Sequence, residues 1–361
     1  MISAQAPGKL YIAGEYAVVE PGEPAVLVAV DRYLTVHLDS GENTAAVGRV
    51  HSSAYQRGPL VWVREQDTGR IVVEHDPRDY VISALRTVDQ LRAERGLAPE
   101  YFDVRIVSEL EDSAGLKFGL GSSAAVTVAL ITALDEFYQL GLTRTERFQL
   151  ALLATIAVSP RASGGDLAAI TFGGWIEYTS PDRAALKAHL DAHGVIAALT
   201  APGWQPFRVR SLPAPADLQL LVGWTGTPAA TEILVAGVQH TGAPYTDFLS
   251  GSRACVQDLV AALQTDPGSA VGVVRRARRL LHRLEQHSGI LIETEMLRDL
   301  CEIAERHGAA GKPSGAGGGD CGIVLAPPTA SATGILAEWE DHDIRHLGLV
   351  VHPAEGGADE C

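Results

Sequence analysis

Apolar and polar positions over the first part of the chain form a pattern that predicts β-structure. Residues 10–38 include the run AVLVAVDRYLTVHL, which is rich in β-branched side chains, and turns interrupt this region. The shorter segments RGPLVWV and GRIVVEH predict a hairpin, and YFDVRIVSEL predicts a strand of alternating character. A sheet of several strands is therefore expected in the first part of the chain.

Several segments have apolar residues at helical spacing. Four apolar residues fall on one side of a helix predicted over residues 78–95, namely Val81, Leu85, Val88 and Leu91. Further helices are predicted over residues 122–140 and 144–158. The segment SPRASGGDLAAITFGGWIEY then predicts a turn, a short helix and a strand.

The periodicity weakens between residues 180 and 215, where Pro, Gly and Ala dominate, so a domain boundary is predicted near residue 200. A strand, LQLLVGW, opens the second half, and helices are predicted over residues 227–238, 245–263, 270–287 and 293–307. A glycine-rich segment, a strand (IVLA), a helix and a last strand (LGLVV) follow, and the tail PAEGGADEC is predicted to be disordered. The pattern predicts two α+β domains, residues 1–200 and 201–361.

Composition and charge narrow the classes of function that this chain could have. The chain has 361 residues, 46% hydrophobic and 20% charged, as in ordinary globular proteins. Its formal net charge is −15 without a long basic tract, which argues against nucleic acid or an anionic membrane as a partner. Four scattered cysteines, Cys255, Cys301, Cys321 and Cys361, have neither metal-ligand nor disulfide spacing. With no signal-peptide pattern and no apolar run of about 18 residues, we expect a cytoplasmic protein that acts on a small molecule.

Three glycine-rich segments carry the candidate chemistry. The first, APGKLYIAGEY, places Lys9 where a strand begins. The second, KFGLGSSAAV, puts Gly119, Gly121, Ser122 and Ser123 at a helix N-terminus, whose free N–H groups and partial positive charge suit a phosphate. Glycines there let a phosphate approach the backbone. The ordinary alternatives are a solvent-facing lysine and serines that only cap a helix.

The third segment, KPSGAGGGDCG, contains a G-x-G-x-x-G spacing that is not a dinucleotide fingerprint. The segment follows a helix and enters a strand, which is the reverse of the order that such a site requires. The chain also lacks the G-x-x-x-x-G-K-[ST] pattern of a P-loop. So many glycines cost conformational entropy that a plain connector would not need, which favours a functional loop.

Together, PGKLYIAGEY, GLGSSAA and KPSGAGGGDCG resemble the three ordered motifs of the GHMP kinases, the family of galactokinase, homoserine kinase, mevalonate kinase and phosphomevalonate kinase. The resemblance covers essentially the whole chain. It implies an α+β fold of two domains, an N-terminal domain like ribosomal protein S5 domain 2 and a ferredoxin-like C-terminal domain. It also implies ATP as co-substrate and Mg²⁺, with both substrates between the domains.

Residue roles follow from the resemblance. It implies catalytic roles for Lys9, Lys117 and Asp166. The second motif would bind ATP through Gly119, Leu120, Gly121, Ser122, Ser123 and Ala124, with Ser123 also the magnesium ligand. Substrate would contact Ser163, Gly164 and Gly165 in ASGGD and Ser314, Gly315, Gly317 and Gly318 in the third motif.

The acceptor decides the chemistry. Within the family the chain is most similar to the bacterial enzymes that phosphorylate (R)-5-phosphomevalonate to (R)-5-diphosphomevalonate; mevalonate, an alcohol, is the alternative acceptor. An alcohol would need Asp166 as general base. A phosphate monoester, with a second pKa of about 6, is already ionised at neutral pH, so Asp166 would orient groups or tune Lys9. On its own, Asp166 could also be a helix cap.

One departure from the family pattern concerns the metal. Several members carry a magnesium-ligating glutamate in the helix before the catalytic turn, whereas LLATIAVSPRASGGD has no acidic residue before Asp166. Magnesium would then rest on Ser123, nucleotide oxygens and water. Two alternatives remain open: a non-catalytic ligand-binding relative, and a homodimer rather than a monomer.

Overall fold

A computed structural model describes residues 1–40, 46–55, 58–74, 79–228, 231–238 and 242–355. Its first half is built on an eight-stranded sheet with β1 (Ile2–Ala13), β2 (Pro24–Asp39), β3 (Gly48–His51), β4 (Leu60–Arg64), β5 (Ile71–Val73), β6 (Asp103–Ser108), β7 (Trp175–Thr179) and β8 (Arg208–Leu212). The order is β5-β4-β3-β6-β2-β7-β8, and β1 pairs with β2. All pairs are antiparallel except β3 with β6.

Helices α1 (Tyr80–Glu94), α2 (Ser122–Tyr138), α3 (Arg144–Val158) and α4 (Gly165–Phe172) pack with this sheet and with one another. Local chemistry fixes two of their starts. Asp79 accepts the N–H groups of Val81 and Ile82, and Thr143 and Glu146 form a capping box. None of the helices in the described ranges combines the length and the apolar character that crossing a bilayer requires.

The second half has a four-stranded antiparallel sheet in the order β10-β11-β9-β12, formed by β9 (Gln219–Trp224), β10 (Ala310–Pro313), β11 (Cys321–Ala326) and β12 (Arg345–His346). Its helices are α7 (Thr231–Gly237), α8 (Ala243–Thr265), α9 (Ala270–Ser288), α10 (Glu295–Arg306) and α11 (Ala332–Asp341). The two halves share a hydrophobic core. At their junction, Phe118 packs edge-on against Trp224 with ring centres 5.1 Å apart.

The predicted elements agree with the structure where the periodicity was strong. Helix α3 has the predicted bounds, and the other predicted helices differ by a few residues at their ends. Two helices between β7 and β8, α5 (Arg183–His193) and α6 (Val195–Ala198), were not predicted. Helix α5 buries only Arg183 and Leu186, so it gives a weak apolar pattern. The predicted last strand, LGLVV, is also wrong: pairing is confined to β12 and an isolated bridge at Val351.

The domain boundary stays a proposal. It was predicted near residue 200, but β8 still pairs with β7 in the first sheet, and β9 opens the second. We therefore propose that the boundary lies between Leu212 and Gln219.

The end of the chain returns to the first sheet. Residues 350–355, here the C-terminal strap, lie against β2 and the end of α4. The backbone bonds run from Asp31 N to Val350 O, His352 N to Ala29 O, Gly174 N to His352 O and Glu355 N to Phe172 O, at 2.9, 2.9, 2.9 and 3.0 Å. The prediction of a disordered tail is therefore wrong for residues 353–355, because backbone bonds hold this segment; residues 356–361, with Cys361, lie outside the described residues.

Candidate active site

Lys9 occupies the centre of the candidate site. Strand β1 carries it, and its backbone N–H donates to Leu120 O at 3.0 Å, which ties the strand to the second glycine-rich segment. Its Nζ lies 3.6 Å from Asp166 Oδ2 and donates to Gly119 O at 3.4 Å. Lys9 is 6% exposed, so the solvent-facing alternative does not apply. A buried ammonium needs such partners, and it brings positive charge to the mouth of α2.

The second glycine-rich segment leaves the N-terminus of α2 open. The N-cap residue is Gly121, and no side chain caps the helix, so capping by serine does not explain the segment. Gly119 and Gly121 both have positive φ, 79° and 85°. A Cβ on Gly121 would lie 2.8 Å from Lys9 Cε, and one on Gly119 would lie 2.4 Å from Asp320 Cβ. Only glycine fits at these positions, because the backbone passes so close to Lys9 and Asp320.

The remaining residues of that segment divide by burial. Leu120 and Ala124 are buried, Ser122 is half-buried, and Ser123 is exposed in the first turn of α2. The hydroxyl of Ser123 is thus accessible to a phosphate or a metal ion at the helix mouth.

Asp166 lies in the first turn of α4, and its side chain is 38% exposed. The N-cap of α4 is Gly164 and Asp166 lies inside the helix, so Asp166 is not the N-cap residue. Just before it, the Ser163 hydroxyl accepts the N–H of Gly165 at 3.3 Å. The Ser163 hydroxyl thus lies at the start of the helix whose first turn carries the Asp166 carboxylate, and that carboxylate pairs with Lys9.

The residues of the third glycine-rich segment differ in their surroundings. Ser314 Oγ accepts the N–H of Tyr11 at 2.9 Å and donates to its carbonyl at 3.0 Å, so this loop is fixed to β1. A Cβ on Gly315 would meet open space. The near neighbours of Gly317 and Gly318 are instead Ile292 and Leu234.

Lys117 precedes the glycines of the second glycine-rich segment in the chain. Its side chain is exposed, and its backbone forms an isolated antiparallel bridge with Glu111. Two arginines contact the ring of Phe118, the residue between Lys117 and Gly119. Arg32 and Arg345 stand over the ring of Phe118 at 4.7 and 5.8 Å, and sequence reasoning missed both.

A buried ion pair was also missed. Lys312 and Glu15 are 0% and 4% exposed, and their side chains pair between β10 and the end of the first motif. Lys312 also donates to Pro313 O at 2.6 Å. Tyr16, next to Glu15, donates its hydroxyl proton to Ala316 O in the third loop. These residues stand inside the motifs, but nothing local in the sequence pairs positions so far apart.

The side chains that could act as metal ligands indicate how magnesium could be bound. The described part of the chain contains no group of three or more His, Cys, Asp or Glu side chains placed to hold a metal ion. Magnesium prefers to keep several waters and to bind through one or two protein ligands together with substrate phosphates. A nucleotide-held magnesium beside Ser123 therefore fits these residues, and a cage made by protein side chains does not.

Two family models and several known proteins match this chain. The family models for the GHMP kinases N-terminal domain and C-terminal domain match residues 79–174 and 260–344. A phosphomevalonate kinase from Streptomyces sp. (strain CL190) is 45% identical, with 96% of each chain covered. The chain belongs to the GHMP kinase family. A mevalonate kinase from Thermococcus sibiricus is 28% identical over 91% of this chain and 90% of that protein.

A solved structure extends the likeness to three dimensions. The Streptococcus pneumoniae phosphomevalonate kinase in complex with phosphomevalonate and AMPPNP superimposes with a TM-score of 0.84 and 29% identity, covering 97% of this chain and 100% of that chain. The predicted family, the two-domain α+β fold and an ATP-dependent small-molecule kinase are confirmed. The roles of individual residues stay predictions.

Proposed function

We propose that this GHMP kinase transfers the γ-phosphoryl group of ATP to the phosphate of (R)-5-phosphomevalonate and forms (R)-5-diphosphomevalonate. The observation that carries this proposal is the 45% identity to a phosphomevalonate kinase over 96% of both chains. Identity to the mevalonate kinase from Thermococcus sibiricus is 28%, which favours a phosphate over an alcohol acceptor. The presence of Lys9, Ser123 and Asp166, with Lys9 paired to Asp166, supports a kinase over the non-catalytic alternative.

The charge at this site suits phosphoryl transfer between two anions. Lys9 is buried between the Asp166 carboxylate and the open end of α2. Its ammonium would lie where the nucleotide and acceptor phosphates meet, and it would stabilise the charge that is shared in the transition state. The N–H groups at the start of α2 and the absence of side chains at Gly119 and Gly121 would hold the nucleotide phosphates.

In the reaction, an oxygen of the acceptor phosphate bonds to the γ-phosphorus, and the bond from that phosphorus to the β–γ bridging oxygen breaks to release ADP. A monoester with a second pKa of about 6 supplies an ionised oxygen at neutral pH. Asp166 therefore has no proton to remove in most encounters. We assign it the orientation of Lys9, 3.6 Å away.

The proposed reaction also uses magnesium. When bound, it would neutralise phosphate charge. Ser123 is the protein ligand that we propose for it, together with water and nucleotide oxygens. Lys117 stays a proposed phosphate contact, which would require its exposed side chain to turn toward the nucleotide. The proposed acceptor side consists of Ser163, Gly164, Gly165, Ser314, Gly315, Gly317 and Gly318.

We further propose a cytoplasmic location, which the free thiols of Cys255, Cys301 and Cys321 support. The homodimer stays a prediction.

Release of ADP in the presence of ATP and magnesium tests the activity, with phosphomevalonate, mevalonate, galactose and homoserine offered separately. We expect phosphomevalonate to have by far the highest kcat/KM. Equal or faster turnover of mevalonate would replace this proposal by a mevalonate kinase, and no turnover of any acceptor would favour a binding protein.

The role of Asp166 is tested by Asp166→Asn, which keeps size and removes charge. With a phosphate acceptor, the wild-type rate should fall on the acid side near the monoester pKa of about 6. The variant should keep this limb and lose rate at every pH. Loss of the limb together with the carboxylate would instead make Asp166 a general base, for which about 100-fold or more in kcat is expected.

A further inference from the structure

Tyr11 lies at a junction that the proposed mechanism does not use. It follows Lys9 by two residues in β1, so both side chains are on one face of the strand. Lys9 Nζ is 5.6 Å from the centre of the Tyr11 ring. The Ser314 hydroxyl holds both the N–H and the carbonyl of Tyr11. The ring is thus fixed between Lys9 and the turn that carries Asp166.

The hydroxyl of Tyr11 is aimed at Ser163. The two oxygens are 3.0 Å apart, and in the described part of the chain Ser163 is the hydrogen-bond partner that the structure gives to the Tyr11 hydroxyl. A Cβ on Gly165 would lie 2.4 Å from the same oxygen, so the glycine makes room for it. Tyr11 itself is 6% exposed.

Counting protons gives this bond a direction. A serine hydroxyl has one proton and two lone pairs. Ser163 already accepts the N–H of Gly165. If Ser163 donated to Tyr11, the Tyr11 proton would be buried without an acceptor, which is costly. If Tyr11 donates, the hydroxyl proton of the half-buried Ser163 is not used in this bond and can reach a ligand.

The chemistry of the phenol agrees with the donor role. Burial raises the pKa of Tyr11 well above its ordinary value, and the nearby Asp166 carboxylate raises it further. Tyr11 therefore keeps its proton at every pH at which the enzyme would work.

We propose that Tyr11 is a positioning residue that turns Ser163 into a hydrogen-bond donor for an anionic oxygen of the acceptor substrate. The inference rests on the proposed function, since it assumes an acceptor bound beside Asp166. A phosphate dianion offers only lone pairs, so a hydroxyl with its proton directed outward suits it, and such a charge-assisted bond is stronger than a neutral one. An alcohol acceptor can donate as well as accept and depends less on this direction.

The test compares Tyr11→Phe with the wild type in steady-state kinetics. We expect the KM for phosphomevalonate to rise about tenfold, since a hydrogen bond to a charged group is lost, with the KM for ATP unchanged. Ser163→Ala should give a similar rise. Because Tyr11 acts through Ser163, the double variant should be no worse than Ser163→Ala alone. An unchanged KM for phosphomevalonate in Tyr11→Phe, or effects that multiply in the double variant, would overturn the inference.

Tyr55→Phe is the matched control, because it removes another tyrosyl hydroxyl, which donates to Asp79 Oδ2 at 2.9 Å, outside the site. It should lower thermal stability and leave both KM values alone. Gly165→Ala is a second variant: its methyl group must push the Tyr11 hydroxyl away from Ser163 and so raise the same KM, and an unchanged KM would count against the inference.

Failure of this inference and of the proposed function can be told apart. If the wild type does not turn over phosphomevalonate, the proposed function is wrong. The same variants are then measured with the acceptor that the wild type does use: for an alcohol the expected rise in KM is smaller, and no rise at all overturns the inference as well.

Discussion

Gly121→Ala tests whether the contact between the second glycine-rich segment and Lys9 matters for catalysis. The new Cβ would lie 2.8 Å from Lys9 Cε and 3.1 Å from Lys9 Cγ. Carbon atoms in contact prefer about 3.5–4.0 Å, so the lysine must shift by roughly 1 Å. It is buried and is held by Asp166, which leaves little freedom to move without changing that pair.

Two effects add up in this variant. An alanine at a φ of 85° is strained, at about 1–2 kcal/mol of stability. Displacing a catalytic group by about 1 Å can slow a reaction roughly 100-fold. Gly141→Ala separates the two effects, because Gly141 has a φ of 64° and a Cβ added there would meet open space. It carries the backbone strain without a neighbour to displace.

The assay is kcat/KM for ATP at saturating phosphomevalonate, together with urea unfolding of both variants. We expect similar losses of stability, and a loss of kcat/KM in Gly121→Ala alone. Equal activity of the two alanine variants would refute the idea that the bare helix mouth exists to let Lys9 and the phosphates meet.

Three further predictions concern stability, and urea unfolding measures each. Lys312→Met leaves Glu15 as a buried unpaired charge, so it should lower the free energy of unfolding by about 3–5 kcal/mol, and adding Glu15→Gln should restore part of it; additive losses would contradict the pairing. Ending the chain after Leu349 removes the four backbone bonds of the C-terminal strap and should lower the free energy of unfolding by about 2–4 kcal/mol. An unchanged free energy of unfolding would mean that the strap does not stabilise the fold. Burial raises the pKa of Glu293, but the hydrogen bond and charge of Arg278, with His282, lower it more, so the pKa is below its ordinary value. The pairing of Glu293 therefore stabilises the fold above the unfolded-state pKa, and this stabilisation is lost as pH falls through the lower folded-state pKa. Glu293→Gln should lower the free energy of unfolding at neutral pH and make that free energy fall less steeply with acid. A variant whose free energy of unfolding runs parallel to that of the wild type at every pH would contradict this.

Local patterns in the sequence predict local structure well here. Helix α3 was predicted with its observed bounds because its apolar spacing is regular and a capping box fixes its start. The open mouth of α2 could be predicted from Gly119 and Gly121, since the positions that need positive φ or a close backbone approach show directly as glycine.

Contacts between distant residues could not be predicted in this way. The pairs Glu15–Lys312 and Tyr11–Ser163 join positions far apart in the chain, and no periodicity connects them. Residues 353–355 of the strap were predicted as part of a disordered tail, whereas backbone bonds from the strap to β2 and to the end of α4, which side-chain composition does not reveal, hold this segment. Lys117 stands close to the glycines in sequence, yet its side chain is exposed, because proximity along a loop does not fix direction.

The nature of the new bond tests the central claim most directly. Phosphorus NMR of a reaction with ATP, magnesium and phosphomevalonate distinguishes a diphosphate ester, whose two phosphorus atoms couple to each other, from a monoester. The account predicts that the phosphomevalonate signal is replaced by a coupled pair as ADP appears. A phosphomevalonate signal that persists, while mevalonate in a parallel reaction is converted to a monoester, would contradict it.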